Sequence, residues 1–389
     1  MTDPNSILDK IIESKQIQDA SQFDPNEILS NLFKNLSSKE RDIVHRRFGL
    51  AGKKRETLEQ IGKYYDITRE RIRQIESGTI RKIKEMSDFG QHIEPAERSA
   101  LQLLENYGGA MEEQHFLEQL LTYGEDSELN RQASTFILNH LLNEKVEYLR
   151  GNNELNPGWK LQAASLDVIK RLVDELAEII ARRNTLLSHI EMVEALKKSQ
   201  FYSENPDFLF TYRLDEKPTT EIDEEIGTIL SSLLRLSKKI SYNILGEWGL
   251  SHWNTVTPKR MSDKVYLVLK QATDPQHFTE ITNLINRADF DRKTAYPATV
   301  HNELILDDRY VLVGRGIYAL KEWGYTPGTV IDIIIEILKK EPEGLTKEEI
   351  VKRVLEQRIV RKSTIYLALT NKEKIKRLGN GRYGLAAIA

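Results

Sequence analysis

Apolar residues recur with helical spacing from Asn26 onward, after a polar stretch at residues 1–24 that we expect to be a flexible leader. Two capping boxes mark where helices begin, because a Ser or Thr that precedes a Glu or Gln by three positions satisfies the first free amides of a helix. These boxes are formed by Ser37 with Glu40 and by Thr57 with Gln60.

A helix-turn-helix follows from the positions at which these helices stop and restart. Gly49 and Gly52 interrupt the chain after the first capped helix. Thr68 is a favourable N-cap for a further helix that runs to about Lys84. Only the short connection at residues 64–67 separates this helix from the one before it, and two helices joined by such a turn are typical of the helix-turn-helix motif.

The middle of the chain predicts two further units, at residues 95–162 and 163–255. The first is helical or winged-helix-like, since its helices end in alternating apolar residues around the turn at residues 151–153. The second is mostly helical, with a short strand-like segment at residues 208–214.

An internal repeat marks the C-terminal third. Two glycines and a tyrosine recur 65 residues later, as Gly314, Gly316 and Tyr318 and then Gly379, Gly381 and Tyr383. Residues 257–325 and 326–389 each predict three helices followed by a hairpin, which is the order of a winged helix-turn-helix. The glycines supply the positive φ angles that a hairpin tip needs. With the helix-turn-helix at residues 25–90, these units predict a mainly α, multi-domain fold: a helix-turn-helix followed by several winged-helix units with short β-hairpin wings.

Composition excludes several classes of protein. The chain has 389 residues, of which 40% are hydrophobic and 30% charged, and it contains no cysteine. Disulfides and thiolate metal sites are therefore excluded. No apolar run approaches the roughly 20 residues that span a bilayer, and the N-terminus does not resemble a signal peptide. We expect a cytoplasmic protein that does not contact a membrane.

The chain also shows no pattern that indicates catalysis. The eight histidines are scattered, so we expect neither a metal site nor a cofactor. Residues 379–384 match the glycine pattern of dinucleotide-binding proteins, but that pattern must open a helix inside a βαβ unit, and here the chain stops five residues later. Nucleophile-elbow and kinase signatures are missing as well. We therefore predict no catalytic residues and no enzymatic activity.

Charge is distributed unevenly along the chain. Residues 31–90 carry 15 Lys and Arg against 9 Asp and Glu, and residues 326–389 carry 13 against 8, although the whole chain has a net charge of −3. Basic ends around an acidic middle favour contact with a polyanion at the ends. Solvated helix faces would produce the same pattern, so charge alone leaves both interpretations open.

The helix after Thr68 has two chemically different faces. On a helical wheel, an inward stripe consists of Ile72, Ile75, Thr79 and Ile83. The opposite face consists of Glu70, Arg73, Gln74, Ser77 and Arg81, with Arg69 at the exposed N-terminal end. Arg, Gln and Glu are the side chains that recognise guanine, adenine and cytosine edges in the major groove, where a recognition helix inserts its N-terminal residues. An ordinary amphipathic helix remains the alternative at this stage.

A family resemblance favours recognition. The strings RDIVHRRFGL, TLEQIG, ITRERIRQIE and RKIK closely resemble region 4 of the sigma-70 family, which binds the −35 promoter element. The resemblance covers about residues 28–86 and implies that Arg69, Glu70 and Gln74 contact bases, with Arg73 alongside. Supporting contacts with the DNA backbone are assigned to Arg71, Ser77 and Arg81. Residues 77–80, Ser-Gly-Thr-Ile, depart from the usual Ala-Lys-Ala-Leu, and a glycine inside a helix costs about 1 kcal/mol relative to alanine.

A second resemblance covers residues 257–325. The patterns A-T-V-x-x-E-L and V-G-R-G-x-Y-A-L look like the HARE-type helix-turn-helix domain, which implies a winged helix and a role in transcription. Its mixed charge slightly favours protein over DNA as the partner. In the last unit a candidate recognition helix begins near Ser363, preceded by Arg361 and Lys362. Its predicted wing is basic enough to contact phosphates through Lys374, Lys376, Arg377 and Arg382.

These observations predict a bacterial transcription factor that binds promoter-like double-stranded DNA together with RNA polymerase, and such a protein would be nucleoid-associated. Nothing in the sequence resembles sigma region 2, so we do not expect a complete sigma factor. The alternative is a protein that binds RNA polymerase and competes with sigma or modulates it, with little DNA affinity of its own. The sequence does not indicate an oligomeric state.

Overall fold

A computed structural model describes residues 23–122, 124–213, 222–378 and 381–386. The chain divides into two compact units, Met1–Ser241 and Tyr242–Ala389. The predicted leader lies almost entirely outside the described residues. Within the described part of the chain, helices dominate and strands form only small antiparallel sheets, which confirms the mainly α prediction.

Four short helices open the first unit. They are α1 (Pro25–Phe33), α2 (Ser38–Phe48), α3 (Leu58–Tyr65) and α4 (Arg69–Lys84). Both predicted capping boxes are present at the starts of α2 and α3. The hydroxyl of Thr68 accepts a hydrogen bond from the Arg71 amide at 3.2 Å, which confirms it as the cap of α4. Gly49 ends α2 with a φ of +74°, a left-handed conformation that glycine adopts without strain.

A three-helix group with a small sheet follows. Its elements are α5 (Phe89–Asn106), β1 (Ala110–Glu112), α6 (Glu113–Leu120), α7 (Glu128–Phe136), a π-helical turn (Ile137–Leu141), β2 (Val146–Leu149) and β3 (Gly158–Leu161). The hairpin predicted around residues 151–153 is confirmed as β2 and β3. A third strand, β1, pairs with β3, so the sheet order is β1-β3-β2.

Three of the first four helices, α1, α2 and α4, share one hydrophobic core with the three-helix group. Helix α5 is continuous across residues 90–95, where the sequence predicted a boundary between the helix-turn-helix and the next unit. Phe136 of α7 is 2% exposed, and its ring lies 4.8 Å from that of Phe48 and 6.1 Å from that of Phe33. Because aromatic contacts at this distance stabilise beyond the area that they bury, the helix-turn-helix depends on residues outside it.

The remainder of the first unit is helical. It consists of α8 (Leu166–Arg183), α9 (His189–Lys197), α10 (Gln200–Glu204), a 3₁₀ turn (Phe208–Phe210) and α11 (Ile222–Leu236). The strand-like interpretation of residues 208–214 is wrong for the residues that the structure describes; Leu214 lies outside them. The Phe210 amide bonds locally to the Asp207 carbonyl at 3.1 Å, and Leu209 is buried, so the apolar run anchors a turn.

The second unit contains two successive groups, each with three helices followed by a hairpin; the first group has an additional short strand after its first helix. Strands β4 (Ile240–Tyr242) and β5 (Trp248–Leu250) form a small two-stranded sheet. The first group is α12 (Met261–Ala272), β6 (Gln276–His277), α13 (Phe278–Ala288), α14 (Pro297–Leu306), β7 (Tyr310–Gly314) and β8 (Ile317–Leu320). The second group is α15 (Val330–Lys339), α16 (Lys347–Gln357), α17 (Lys362–Ala368), β9 (Ile375–Arg377) and β10 (Tyr383–Leu385).

The predicted order of three helices and a hairpin is confirmed in both groups. The repeated glycines Gly316 and Gly381 have φ angles of +70° and +78° at the hairpin turns, which explains why both turns need glycine. The same prediction is wrong for Gly314, which does not have a positive φ and is instead required by the close approach of the Ile359 backbone. Gly379 lies outside the described residues. No helix in the described ranges is both long enough and apolar enough to cross a membrane.

Candidate nucleic-acid interface

The turn between α3 and α4 is built on a close approach of two backbone segments. Asp66 ends α3 in the left-handed region with a φ of +51°. A Cβ atom added to Gly62 would lie 2.7 Å from the Ile67 carbonyl oxygen, so no side chain fits at position 62. The glycine inside α3 therefore allows the turn to fold back over the helix and sets the direction in which α4 leaves it.

The inner face of α4 fixes how far the helix rotates about its axis. Ile72 and Ile83 are fully buried, and Ile72 packs with Ile43 and Ile61 in a small core of its own. The Thr79 hydroxyl is buried and donates to the Ile75 carbonyl at 2.7 Å. Because these contacts anchor both halves of the helix, the opposite face is held toward solvent.

The outer face presents the residues for which the sequence predicted contacts with DNA. All seven are exposed: Arg69, Glu70, Arg71, Arg73, Gln74, Ser77 and Arg81. In this structure two pairs of them bond to each other. Arg73 donates to both carboxylate oxygens of Glu70, at 2.9 and 2.6 Å, and Arg71 donates to the side-chain amide oxygen of Gln74 at 3.1 Å. These pairs orient the side chains along the helix.

Charge on this face persists over a wide pH range. The hydrogen bond from Arg73 lowers the pKa of Glu70 below its usual value, and it raises the pKa of Arg73. Glu70 is therefore a carboxylate at neutral pH and can only accept hydrogen bonds, as recognition of a cytosine amino group requires.

Position 78 faces open space. A Cβ atom added to Gly78 would meet nothing within 4 Å, so this glycine is not required by packing. Its effect on α4 is limited to the lower helix propensity of glycine. The reading end of α4, one turn earlier, is unaffected.

An ion-pair network that the sequence analysis missed connects the helices behind this face. Asp42 of α2 accepts hydrogen bonds from Arg46 at 2.7 Å, from the Tyr65 hydroxyl at 2.6 Å and from Lys53 at 3.1 Å. Arg46 also bonds Glu56, at 2.9 Å. Tyr65 belongs to α3, and Lys53 and Glu56 to the preceding loop, so one carboxylate ties together three segments of the motif. The i,i+4 spacing of Asp42 and Arg46 was the only local signal for it.

The pKa values reflect how tightly this network is bound. Burial opposes ionisation of Asp42, but the hydrogen bonds from Tyr65, Arg46 and Lys53 outweigh it and lower its pKa to about 2. Burial, together with the neighbouring Asp42 carboxylate, raises the pKa of Tyr65 to about 12. The network therefore holds its charges from mildly acidic to alkaline pH.

Two half-buried histidines make the first unit sensitive to acid. Burial lowers the pKa of His140 to about 4, assisted by the positive charges of Arg47, Arg55 and Lys84. Burial likewise lowers the pKa of His115 to about 4. The unfolded chain, in which histidine titrates near 6.5, then binds more protons than the folded chain between pH 6.5 and 4.

We therefore expect the free energy of unfolding to fall as the pH drops from 6.5 to 4, by about 1–2 kcal/mol for each histidine once solvent screening is allowed for. Urea titrations at several pH values measure this, and His140→Gln should flatten the profile. A stability that stays constant over this range would contradict the assignment.

The C-terminal hairpin carries a second set of predicted contact residues. Lys374 immediately precedes β9, and Lys376 and Arg377 lie within it; all three are exposed. Arg382 differs, because it is only partly exposed and donates to the Gly344 carbonyl at 3.1 Å. The predicted helix near Ser363 is α17, which begins at Lys362. This set belongs to the second compact unit, whereas α4 belongs to the first.

Comparisons with known proteins match the helix-turn-helix. Residues 32–85 match the family Sigma-70, region 4. The chain is 47% identical over 58 residues to the RNA polymerase sigma factor SigA of Microcystis aeruginosa, which is 15% of this chain and 14% of that protein. It is 40% identical over 83 residues to the RNA polymerase sigma factor SigA of Nostoc sp. (strain PCC 7120 / SAG 25.82 / UTEX 2576), 21% of each chain.

These matches confirm the first resemblance and limit its extent. Residues 32–85 form a sigma-70 region 4 domain. The chain spans only about a seventh to a fifth of the length of the sigma factors that it matches. The resemblance of residues 257–325 to a HARE-type domain stays a prediction.

Proposed function

We propose that this chain is a sequence-specific DNA-binding transcription factor whose region 4 domain inserts α4 into the major groove. The observation that carries the proposal is the exposed polar face of α4, held outward by the buried Ile72, Thr79 and Ile83 on a matched region 4 domain. Arg69, Glu70 and Gln74, with Arg73 alongside, would contact base edges. Arg71, Ser77 and Arg81 would contact the DNA backbone.

The chemistry of this face suits that role. A recognition helix places its N-terminal residues deepest in the groove, and the base-reading set occupies the first turns of α4. The first turn also has a hydroxyl cap at Thr68, so the helix begins without fraying. To contact bases, Glu70 and Arg73 must release each other, and so must Arg71 and Gln74. The free-energy cost of breaking these two pairs is small, because all four side chains are exposed.

RNA polymerase is the proposed protein partner, since the matched relatives are named RNA polymerase sigma factors. We propose a role at promoters without the complete activity of a sigma factor, and a binding role rather than a catalytic one. The element order of residues 257–325 supports a HARE-type winged helix there, and residues 326–389 support a further winged-helix unit. A protein that binds polymerase and modulates sigma without binding DNA is the alternative.

A transcription assay separates this role from that of a complete sigma factor. The chain with core RNA polymerase and no other sigma should produce no run-off transcript from a linear promoter template, because no segment resembling the promoter-melting region was identified. The housekeeping sigma factor serves as the positive control. A run-off product made by this chain alone would contradict the proposal.

We also propose that the last hairpin adds salt-sensitive affinity that is blind to sequence. Lys374, Lys376 and Arg377 are exposed along β9, and contacts that reach only phosphates carry no base information. Each neutralised phosphate contributes about 0.9 to the slope of log K against log salt, so removing these three charges should reduce the slope by roughly 2–3.

The test uses a full-length variant in which all three residues are replaced by Gln. Its affinity for one duplex is measured at several salt concentrations and compared with that of the wild type. A matched control neutralises three exposed lysines of the same unit outside the hairpin, Lys339, Lys340 and Lys352. Equal slopes for the wild type and the hairpin variant would remove the hairpin from the DNA interface.

A further inference from the structure

The hairpin loop of the first three-helix group is paired with the segment that follows α11. Leu155 and Ser237 form an antiparallel bridge. The Lys238 amide donates to the Glu154 carbonyl at 2.8 Å, and the Asn156 amide donates to the Leu236 carbonyl at 2.8 Å. The loop between β2 and β3 therefore pairs, as a short antiparallel strand would, with a later segment of the same unit.

The hairpin of the group from α12 to β8 also forms backbone hydrogen bonds with a later segment, which belongs to the group that follows it. The Ile359 amide donates to the Val313 carbonyl at 2.8 Å, and Ile359 forms a parallel bridge with Gly314. A Cβ atom at Gly314 would lie 2.6 Å from the Ile359 carbonyl oxygen, so this contact requires glycine. The segment between α16 and α17 therefore adds to the outer edge of β7.

A buried arginine closes this second contact. Arg358 is 3% exposed, and its guanidinium donates to the carbonyls of Thr326 and Gly328 at 2.6 and 2.8 Å. The Thr326 amide donates to the Gln357 side chain at 3.1 Å. Because a buried guanidinium needs its partners, the connection between the two groups is held at a fixed geometry.

The third helix of each of these two groups, which precedes the hairpin, is also unsuited to contact with DNA. Helix α7 packs against α1, and its Phe136 lies in the shared core. Helix α14 is accessible, but it contains no Lys or Arg and exposes Ile305 and Leu306 at 61% and 79%. Without cations, such a helix gains nothing from counterion release at a phosphate backbone.

The last hairpin differs from the other two. Strand β10 bridges Leu345 within its own group, and Lys374, Lys376 and Arg377 at β9 are exposed. Its exposed lysines are therefore accessible to an outside partner.

We propose that the hairpins at residues 146–161 and 310–320 are intrachain docking sites that orient the following group and do not contact nucleic acid. Contact with DNA is left to α4 and to the last hairpin. The second half of this inference rests on the proposed DNA binding; the docking half does not.

The absence of native cysteine allows a position-specific test on the full chain. Single substitutions Ser77→Cys, Lys376→Cys, Arg150→Cys and Arg315→Cys, all at exposed positions, would carry a photocrosslinker and be irradiated with a labelled mixed-sequence duplex. Crosslinks are expected from positions 77 and 376, with only background yield from 150 and 315. Crosslinking from 150 or 315 at the yield of 376 would overturn the proposal.

Amide hydrogen exchange of the wild-type chain tests docking independently of DNA. The amides of Asn156, Lys238 and Ile359 should exchange roughly 100-fold or more slowly than in an unstructured chain, because they donate to carbonyls of another group. If no position crosslinks, the proposed DNA binding is wrong, and hydrogen exchange alone decides whether the two hairpins are docked. Protection would then support docking, and exchange at unstructured rates would overturn it.

Discussion

Replacing Phe136 by alanine is expected to destabilise the region 4 domain by about 3–5 kcal/mol, although Phe136 lies outside residues 32–85. The ring is 2% exposed and packs against Phe33 and Phe48, which belong to the first two helices. Its removal leaves a cavity in a core that both parts of the chain share. We therefore expect unfolding of α7 and of the helix-turn-helix in one transition, together with loss of DNA binding near physiological temperature.

Urea unfolding followed by circular dichroism measures this, with duplex binding as a second readout. Leu129→Ala is the matched control, since Leu129 lies on the same helix but is 44% exposed and should cost less than about 0.5 kcal/mol. If Phe136→Ala unfolds only the later helices and leaves duplex binding intact, the shared core does not support region 4.

Removing a base-reading side chain is expected to change sequence preference more than affinity. Gln74→Ala and Glu70→Ala should each reduce discrimination at one or two base pairs by about 1–3 kcal/mol, because a bidentate base contact contributes that much. Arg81→Ala should instead weaken binding to all duplexes by similar factors, as expected of a phosphate contact.

Affinities for a preferred duplex and its single-base variants measure this effect. Glu70→Ala also frees Arg73, so Glu70→Gln, which keeps the size of the side chain, separates loss of the acceptor from loss of the ion pair. Lys63→Ala is the control, since Lys63 is exposed on α3 and pairs only with Glu59 among the described contacts. Unchanged discrimination in both Glu70 variants and in Gln74→Ala would remove these residues from the base-reading set.

The helix-turn-helix could be predicted from the sequence because its determinants are local. The capping boxes at Ser37 and Thr57 and the cap at Thr68 each involve residues three positions apart, and the inward stripe of α4 repeats with the helical period. The two C-terminal hairpins were predictable for a related reason, since Gly316 and Gly381 occupy turns that need a positive φ.

Features that depend on distant residues were not predictable. Phe48 and Phe136 meet across 88 positions of sequence, and no local pattern links them. The bonds of Asp42 with Tyr65 and Lys53, and that of Ile359 with Val313, arise only once the helices have packed. The prediction for residues 208–214 was wrong for the opposite reason. Alternating aromatic residues predict a strand, but within the described ranges no strand pairs with this segment, and its backbone forms local bonds instead.

The central claim is that α4 reads DNA sequence. A selection of bound duplexes from a randomised pool by the full-length protein, repeated with Gln74→Ala and with Glu70→Ala, tests it most directly. We predict that the wild-type chain enriches a defined motif and that each variant loses the preference at one or two positions of that motif while keeping the rest. If the wild type enriches no motif, or if both variants return the wild-type ranking of sequences, α4 is not a recognition helix.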